Sequence, residues 1–340
     1  MKQVLIAQGG VRVEDVPAPL VEPGTVLVRV EHSCISIGTE MSGVSESNMP
    51  LWRRAMKRPA QVKRLIEVVS TEGIERARTL VADRLAALQA TGYSACGRVI
   101  EVGDGIDDLA PGDRVACAGA QSAHHAEVIR VPRNLVALVP DALDTIDAST
   151  VTLGAIALQG VRRAQPTLGE TFVVVGLGLL GQLTQQILRA NGCRAIGIDL
   201  DRRRIAIAST MGLALGVHPE DGGAVEQVMR LTGGIGADGV ILTAATPSSE
   251  PISQAFRMCR RKARVVIVGD VGLDIQRSDI YAKELDILIS TSYGPGRYDR
   301  MYEEAGLDYP IGYVRWTENR NMEAYLGLLA DRKVTLGPLV

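Results

Sequence analysis

The chain has 340 residues, of which 46% are hydrophobic and 22% are charged, a composition typical of a globular protein large enough for two domains. Its formal net charge of -2 and its aromatic content of 4% give no electrostatic or base-stacking reason to expect nucleic-acid binding. We therefore set that class of function aside.

The cysteine usage and the N-terminal sequence indicate a cytoplasmic protein. The five cysteines are scattered and never form a C-x-x-C pair, which favours reduced thiols in a core over a disulfide framework. The N-terminal run M-K-Q-V-L-I-A-Q-G-G is too short an apolar stretch for a signal peptide, and no run of about 18 apolar residues occurs in the sequence. We expect a cytoplasmic localisation without a membrane span.

The first 45 residues alternate in the manner of short strands broken by proline and glycine, with strands predicted at 11–16 and 26–30. The same texture resumes over 97–131 with G-R-V-I-E-V-G, P-G-D-R-V-A and A-E-V-I-R-V-P. Between these parts, about 45–90, apolar residues recur at helical spacing. The sequence therefore predicts an all-β module with a helical insertion.

The insertion carries a basic stretch with no acidic residue between Ser47 and Ile66. Its basic residues are Arg53, Arg54, Lys57, Arg58, Lys63 and Arg64. A solvated helical face is the ordinary interpretation of such a run. An anionic substrate, such as a uronic acid or a nucleotide-activated sugar, or a membrane surface are the alternatives.

Residues 171–199 carry a dinucleotide-binding pattern. The run T-F-V-V-V predicts a buried parallel strand, and G-L-G-L-L-G leads from it into a helical pattern. Gly176 would make the turn, Gly178 would let a phosphate approach the backbone, and Gly181 would let the helix pack on the strand. The predicted cofactor contacts in this loop are Gly176, Leu177, Gly178, Leu179, Leu180 and Gly181.

Asp199 ends the next predicted strand, 18 residues after Gly181. A carboxylate there can accept hydrogen bonds from the ribose hydroxyls of NAD and repel the 2′-phosphate of NADP. Arg202, Arg203 and Arg204 could instead clamp that phosphate, but we favour NAD because the carboxylate stands at the strand end. The other predicted cofactor contacts are Leu200, Arg203, Ala244, Val268, Gly269 and Asp270.

Further strands are predicted at 239–242 and 264–268, alternating with helices. This alternation predicts a parallel, doubly wound sheet of the Rossmann type. The predicted fold class is therefore α/β, with a β-module, a helical insertion in it, and a nucleotide-binding sheet.

Motifs over nearly the whole chain resemble the medium-chain dehydrogenase/reductase superfamily, which has the alcohol-dehydrogenase-like fold. They are P-G-T-V-L-V-R-V at 23–30, G-R-V-I-E-V-G at 97–103, P-G-D-R-V at 111–115, the glycine turn, the helical G-A-I-A-L-Q-G-V at 154–161, G-A-D-G-V at 236–240 and V-G-D-V-G at 268–272. The resemblance implies a GroES-like catalytic domain at 1–153, a Rossmann NAD-binding domain at 154–295, and a return segment toward the catalytic domain at 296–340. It also implies an NAD-dependent dehydrogenase or reductase that forms a homo-oligomer.

A narrower resemblance is carried by G-Y-S-A-C-G at 92–97 and S-Y-G-P-G-R-Y-D at 292–299. These motifs are similar to the amino-terminal half of bacterial two-domain oxidoreductases of polysaccharide or glycan pathways. The resemblance implies a fused downstream oxidoreductase domain of the glucose-fructose oxidoreductase type, and a chain that is either truncated or unusually short at V-T-L-G-P-L-V. The loop I-S-I-G-T-E also resembles that of bacteriochlorophyllide dehydrogenases.

The positions that hold catalytic zinc in zinc-dependent members of the superfamily carry other residues in this chain. Aligning G-T-E with the G-S-D of the family puts Ile37 at the cysteine position and Tyr93 at the histidine position, and the region of Thr152 offers no third ligand. The cysteine-rich loop for structural zinc is missing as well, since 98–120 contains only Cys117. The resemblance thus implies a zinc-independent enzyme with no metal.

One alternative keeps a metal site, formed by Cys34 with His124 or His125 from S-A-H-H-A-E. A lone cysteine with two adjacent histidines does not have the usual spacing of metal ligands. One of these histidines could instead face the nicotinamide cleft and titrate near neutral pH.

Without zinc, the protein must move a proton to or from the substrate oxygen by other means, because the cofactor carries only the hydride. Tyr93 is the predicted acid/base, and Thr39, at the place of the family's relay hydroxyl, is the second predicted catalytic residue. Each hydroxyl could also be satisfied locally, that of Thr39 in a turn beside Glu40. The predicted substrate contacts are Arg297 as an anion clamp, Tyr293 and His124.

The leading hypothesis is a zinc-independent, NAD-linked oxidoreductase that transfers a hydride to or from a secondary alcohol or ketone of a sugar-like, anionic substrate. A reductase of activated double bonds, of the enone or quinone type, is the alternative among enzymes. An NAD-binding module without turnover, serving a fused partner, is the alternative from another class.

Overall fold

The structure is a computed structural model that describes residues 1–7, 10–36, 38, 40, 63, 67, 69–71, 73, 75–76 and 88–339. Most of the predicted insertion at about 45–90, including nearly all of its basic stretch, lies outside these described residues. So do Ile37 and Thr39, the residues predicted for a lost zinc position and for a relay hydroxyl.

Two antiparallel sheets form the amino-terminal part. Strands β1 to β8 run over Lys2–Ala7, Gly10–Asp15, Thr25–Ser33, Gln89–Ala90, Ser94–Val102, Arg114–Ala118, Val128–Pro132 and Val136–Leu138. One sheet has the order β2-β1-β4 and the other the order β7-β3-β5-β6-β8. In β7 the inward Ile129 and Val131 alternate with partly exposed neighbours, which is the period of two expected for a half-buried strand. The β-module predicted from the sequence is confirmed.

A six-stranded parallel sheet follows, with the order β11-β10-β9-β12-β13-β14. Strands β9 to β14 run over Thr171–Val175, Arg194–Ile198, Leu215–Val217, Ala237–Leu242, Cys259–Ile267 and Asp286–Ile289. The chain enters at β9 in the middle and is wound outward in both directions, so the doubly wound prediction is confirmed. The sequence pattern did not single out β11 and β14, because each has only three or four residues and is partly exposed.

Helices cover both faces of this sheet. The described helices α1 to α9 run over Thr145–Ala148, Val151–Ala164, Leu179–Ala190, Arg202–Thr210, Ala224–Leu231, Glu250–Met258, Arg277–Ile280, Arg300–Glu303 and Glu318–Ala330. Along β9, Phe172 and Val174 belong to one apolar cluster, and Val173 belongs to the other. Strands buried on both faces are therefore apolar throughout, as the V-V-V run predicts.

Helix α2 connects the two halves of the molecule. A Cβ at Gly154 would overlap the ring of Tyr325 in α9, and a Cβ at Gly160 would come within 2.7 Å of Val268 at the end of β13. These glycines let α2 lie close to both neighbours.

Among the described helices, none is both long and apolar enough to cross a lipid bilayer.

Candidate cofactor and substrate site

Two glycines shape the turn between β9 and α3. A larger residue at either position would force the neighbouring backbone to move. Gly176 has a φ of 95°, and a Cβ on it would lie 2.7 Å from the backbone nitrogen of Ala244. A Cβ on Gly181 would overlap the carbonyl oxygen of Gly176. The first helical turn of α3 therefore packs directly on the preceding loop, as the motif predicts.

Gly178 has the opposite surroundings. A Cβ built there would meet no atom within 4 Å, and Gly178 is the N-cap of α3, where no described side chain caps the helix. The first-turn N–H groups of a helix are unpaired within the helix and attract negative charge. Open space beside N–H groups that no described side chain caps fits the pyrophosphate of a dinucleotide.

Asp199 lies at the end of β10 and is 7% exposed. Its Oδ2 accepts a hydrogen bond from the backbone N–H of Leu177 at 2.6 Å, and its Oδ1 accepts one from that of Asp201 at 2.8 Å. An ionised carboxylate offers about four acceptor positions, so about two remain for ribose hydroxyls. Asp199 thus ties the glycine turn to the next strand and still fits the predicted ribose contact.

The three arginines beyond Asp199 point in different directions. Arg202 forms a forked ion pair with Asp221, at 2.7 and 2.8 Å. Arg204 lies 3.7 Å from the Oδ2 of Asp199, while the side chain of Arg203 is exposed on the first turn of α4. Arg202 could have bound a 2′-phosphate with both guanidinium nitrogens, but they are already paired with Asp221. Leu200, 81% exposed, presents an apolar surface beside them.

The loops after β12 and β13 form the rest of the predicted nucleotide site. A cavity of about 400 Å³ lies between them. It is lined by Ala245, Thr246, Pro247, Asp270, Val271 and Gly272. The two loops are in close contact, since a Cβ on Gly269 would overlap the carbonyl oxygen of Ala244. The predicted residues Ala244, Val268, Gly269 and Asp270 therefore lie at the carboxyl edge of the sheet, beside its switch point.

Tyr93 belongs to a polar corner where the β-module meets α2. We call this the junction corner, comprising Ser33, Glu40, residues 91–94, His125 and Thr152. The Oγ of Ser94 donates to the carbonyl of Ser149 at 2.6 Å and accepts from the N–H of Thr152 at 3.1 Å. The Oγ1 of Thr152 donates to the carbonyl of Tyr93 at 2.9 Å. The predicted acid/base, 9% exposed, is thus held by its backbone against the start of α2.

His125 forms the centre of the junction corner, which the sequence did not reveal. Its Nδ1 lies 2.8 Å from the Oγ of Ser33, and its Nε2 lies 3.0 Å from the Oε2 of Glu40. These partners are 92 and 85 residues away along the chain. No local spacing in the sequence signals such contacts.

His124 has different surroundings from His125. It lines a separate cavity of about 220 Å³ whose wall includes Gln3, Pro17 and Arg130. Burial lowers the pKa of His124, and its Nδ1 has no hydrogen-bond partner within the described part of the chain. The backbone of Gly92, the residue before Tyr93, interacts with the His124 ring and acts on this pKa in the opposite direction, so His124 also borders the junction corner.

The predicted substrate loop is also more internally bonded than its sequence suggests. The Nη1 of Arg297 lies 2.5 Å from the Oε1 of Glu303, and its guanidinium stacks 4.2 Å from the ring centre of Tyr298. Tyr293 is 3% exposed, and its carbonyl accepts from the Nδ2 of Asn321. A substrate anion would have to compete with Glu303 for Arg297.

Behind this loop lies a buried acid that the sequence gave no reason to single out. Glu318, the first residue of α9, is 0% exposed, and neither carboxyl oxygen has a hydrogen-bond partner among the described residues. Burial and the nearby Glu303 raise the pKa of Glu318 to about 9, although Arg297 acts in the other direction. The hydroxyl of Tyr293 is likewise buried without a described partner.

The side chains that could bind a metal have other surroundings in the structure. Among the described residues, no group of three or more histidine, cysteine, aspartate or glutamate side chains is close enough to hold a metal ion. Both ring nitrogens of His125 already have partners, as given above. Burial and Glu40 raise the pKa of the Cys34 thiol to about 11, so Cys34 is protonated at neutral pH.

Comparison with known proteins gives three kinds of similarity. Residues 180–306 match the family model described as zinc-binding dehydrogenase. An alcohol dehydrogenase of Moraxella sp. (strain TAE123) is 25% identical over 206 residues, which cover 52% of this chain and 60% of that enzyme. The matched part therefore spans less than two thirds of that relative.

Solved structures are similar over the whole chain. Galactitol-1-phosphate dehydrogenase of Escherichia coli superimposes with a TM-score of 0.74, at 19% identity, covering 100% of this chain and 91% of that protein. Quinone oxidoreductase of Escherichia coli, solved with NADPH, gives a TM-score of 0.71 at 15% identity, covering 99% of this chain and 90% of that protein. At these identities the similarity establishes the fold.

Proposed function

The chain has the fold of the medium-chain dehydrogenases and reductases, and from this premise we propose that it is a nicotinamide-dependent oxidoreductase acting on a small molecule. The superfamily resemblance drawn from the sequence is confirmed by the family model, the alcohol dehydrogenase match and the whole-chain fold similarity. The observation that carries the proposal is the open space over Gly178 at the uncapped start of α3, with the Asp199 carboxylate beside it.

We propose NAD as the cofactor rather than NADP. The carboxylate of Asp199 stands at the strand end and would repel a 2′-phosphate, and Arg202 is paired with Asp221. The bound cofactor would supply hydride acceptance and donation at its nicotinamide ring. The protein's own residues hold the phosphates along the glycine turn and present the ribose to Asp199.

We propose that the chemistry does not use zinc. Tyr93 takes the place of the family's ligand histidine, and Ile37, outside the described residues, takes that of the cysteine. Elemental analysis of protein purified without chelator should find well under one zinc per chain, and chelation should leave NAD affinity unchanged. Stoichiometric zinc would contradict the alignment and would make Cys34 and its neighbouring histidines the ligands to examine.

For the substrate, we propose a secondary alcohol, or the matching ketone, of a sugar-like anionic molecule in a cytoplasmic setting. The support is the narrower family resemblance together with the basic residues of the insertion. Tyr93 is proposed to hydrogen-bond the substrate oxygen, with Thr39 as a second hydroxyl. Arg297 and Tyr293 would then act through the loop that they stabilise. We also propose that the protein forms a homo-oligomer and is fused to a second oxidoreductase domain.

The test is a screen of uronic acids, nucleotide sugars and glycans in which NADH formation is followed by absorbance. Turnover of a secondary alcohol with NAD is the expected result. Turnover of an enone or quinone but of no alcohol would favour the reductase alternative. Tight NAD binding without hydride exchange on any substrate would favour a non-catalytic module.

A further inference from the structure

Three polar side chains from separate segments form one hydrogen-bonded series in the junction corner. Ser33 ends β3, His125 precedes β7, and Glu40 follows the I-S-I-G-T stretch in the sequence. The Oγ of Ser33 lies 2.8 Å from the Nδ1 of His125, and the Nε2 of His125 lies 3.0 Å from the Oε2 of Glu40. Both distances are in the range of good hydrogen bonds.

The partners of Glu40 determine which way the protons in this series point. The Oε1 of Glu40 accepts from the backbone N–H of Ser36 at 2.8 Å, and its Oε2 accepts from the hydroxyl of Thr91 at 3.3 Å. A carboxylate that accepts from each neighbour also accepts from the imidazole, so the Nε2 of His125 carries the hydrogen. The Nδ1 is then an acceptor, and the hydroxyl of Ser33 must donate to it.

Burial strengthens this arrangement. His125 is 9% exposed and the side chain of Glu40 is 14% exposed, so the pair is largely removed from water. Ser33 is only partly buried and is the more accessible end of the series. A carboxylate that fixes the tautomer of an imidazole, with a hydroxyl on the other ring nitrogen, is an arrangement that moves protons in many enzymes.

The series lies next to the residues already proposed to face the substrate. The backbone N–H of Cys34 donates to the carbonyl of Ser94 at 2.9 Å, which places Ser33 beside the start of β5. A Cβ on Gly92 would come within 2.6 Å of the backbone nitrogen of His125, so His125 packs against the residue that precedes Tyr93. Ser33, His125 and Tyr93 therefore share the junction corner.

We propose that Ser33, His125 and Glu40 form a proton relay for the oxidoreductase reaction, an inference that rests on the function proposed above. In alcohol oxidation the substrate hydroxyl gives its proton to the Oγ of Ser33 while the Ser33 hydrogen passes to the Nδ1 of His125. The carbon-bound hydrogen leaves with its electron pair as the hydride that the nicotinamide cofactor accepts. The products are the ketone and an imidazolium paired with the Glu40 carboxylate, and ketone reduction reverses each transfer.

Each residue of the junction corner then has a different role. Ser33 exchanges the proton with the substrate, and His125 stores it. Glu40 is a positioning residue that fixes the tautomer of His125 and stabilises its charged form. Tyr93 then contributes a hydrogen bond to the substrate oxygen.

The first experiment needs no turnover. Nitrogen-15 chemical shifts of the His125 imidazole in the full chain, without substrate, should show hydrogen on Nε2 and an acceptor at Nδ1. Glu40→Gln should remove this tautomer preference, because an amide can also donate to the ring. Hydrogen on Nδ1 in the unaltered protein would overturn the relay, since Ser33 could then only accept.

The second experiment uses the alcohol and NAD pair found by the activity screen. His125→Ala should lower kcat by about 10²-fold or more with little change in KM, and added imidazole should restore part of it. Ser33→Ala should lower kcat in the same direction, whereas imidazole should not rescue it. His32→Gln is the matched control, because His32 is an exposed neighbour on β3 bonded to Thr145, and it should leave kcat within about twofold of the unaltered value.

The outcomes separate the relay from the proposed function. Normal kcat in both His125→Ala and Ser33→Ala would overturn the relay while the oxidoreductase assignment stands. If His125→Ala loses kcat because it does not fold, it will show an unfolded circular dichroism spectrum and no rescue by imidazole. In that case Ser33→Ala and the tautomer measurement decide whether the relay exists. A chain that turns over no alcohol would contradict the proposed function, and the tautomer measurement would still decide whether Ser33 donates.

Discussion

The glycine turn and the junction corner are built in opposite ways. The turn uses backbone atoms from one continuous stretch, with Gly176, Gly178 and Gly181 within six residues. The junction corner uses side chains from segments up to 92 residues apart in sequence. The turn therefore depends on the absence of side chains at a few positions, whereas the corner depends on a complete set of hydrogen bonds.

This difference determines how each region responds to substitution. In the glycine turn, an added methyl group either clashes with the protein or fills the space left for the phosphate, and there is no side-chain chemistry to lose. A side-chain network keeps its fold when one hydroxyl is removed, yet loses a specific chemical step. Four predictions, in order of decreasing effect, test this comparison.

The largest effect is expected from a methyl group in the glycine turn. Gly181→Ala should cost about 1–3 kcal/mol of unfolding free energy, because the new Cβ overlaps the carbonyl of Gly176. It should also abolish NAD binding measurable by titration calorimetry. Gly178→Ala is the matched variant, since its Cβ meets nothing in the protein. It should keep its stability and lose NAD affinity, and unchanged affinity would argue that the phosphate does not approach there.

In the junction corner, Tyr93→Phe should leave the fold and NAD affinity unchanged. It should slow turnover by about 10²-fold, because a positioned hydroxyl at the substrate oxygen is lost. Steady-state kinetics with the substrate from the screen would measure this. Tyr313→Phe, at a tyrosine that is 91% exposed, is the control. Near-normal turnover would return Tyr93 to a structural role.

Outside these two regions, Glu318 should make the stability of the protein depend on pH. Its raised folded-state pKa, about 9, exceeds the unfolded value of about 4.3, so the unfolded chain loses this proton first as pH rises. The stability present below about pH 4 should therefore fall as the pH rises toward 9. Glu318→Gln should remove this dependence and stabilise the protein at pH 8 by on the order of 2 kcal/mol.

Urea unfolding at pH 5 and pH 8 would measure this. The free energy of unfolding of the unaltered protein should be lower at pH 8 than at pH 5 by an amount that the Glu318→Gln variant does not show. Glu323→Gln, at an exposed position of the same helix, is the control and should change neither value. Equal stability of the unaltered protein and the Glu318→Gln variant at both pH values would show that Glu318 is ionised and solvated in the folded protein.

The smallest effect concerns cofactor choice. NAD should bind at least about tenfold more tightly than NADP, equivalent to about 1.4 kcal/mol, and Asp199→Ala should narrow that gap. Because Asp199 also accepts from the N–H of Leu177, the variant should weaken NAD binding overall. Fluorescence titration with both cofactors would measure the two constants. Tighter NADP binding by the unaltered protein would make Arg202 and Arg203 phosphate ligands.

The sequence by itself determined the fold class, the parallel sheet and the shape of the nucleotide loop. These follow from local signals, because strand periodicity, a glycine turn and a carboxylate at a strand end are set by residues close together in the chain. The tertiary structure alone decided the pairing of Arg297 with Glu303, the burial of Glu318 and the different partners of His124 and His125. It also brought Ser33, His125 and Glu40 together, since contacts between distant segments depend on how the sheets and loops pack, and no spacing in one sequence records that packing.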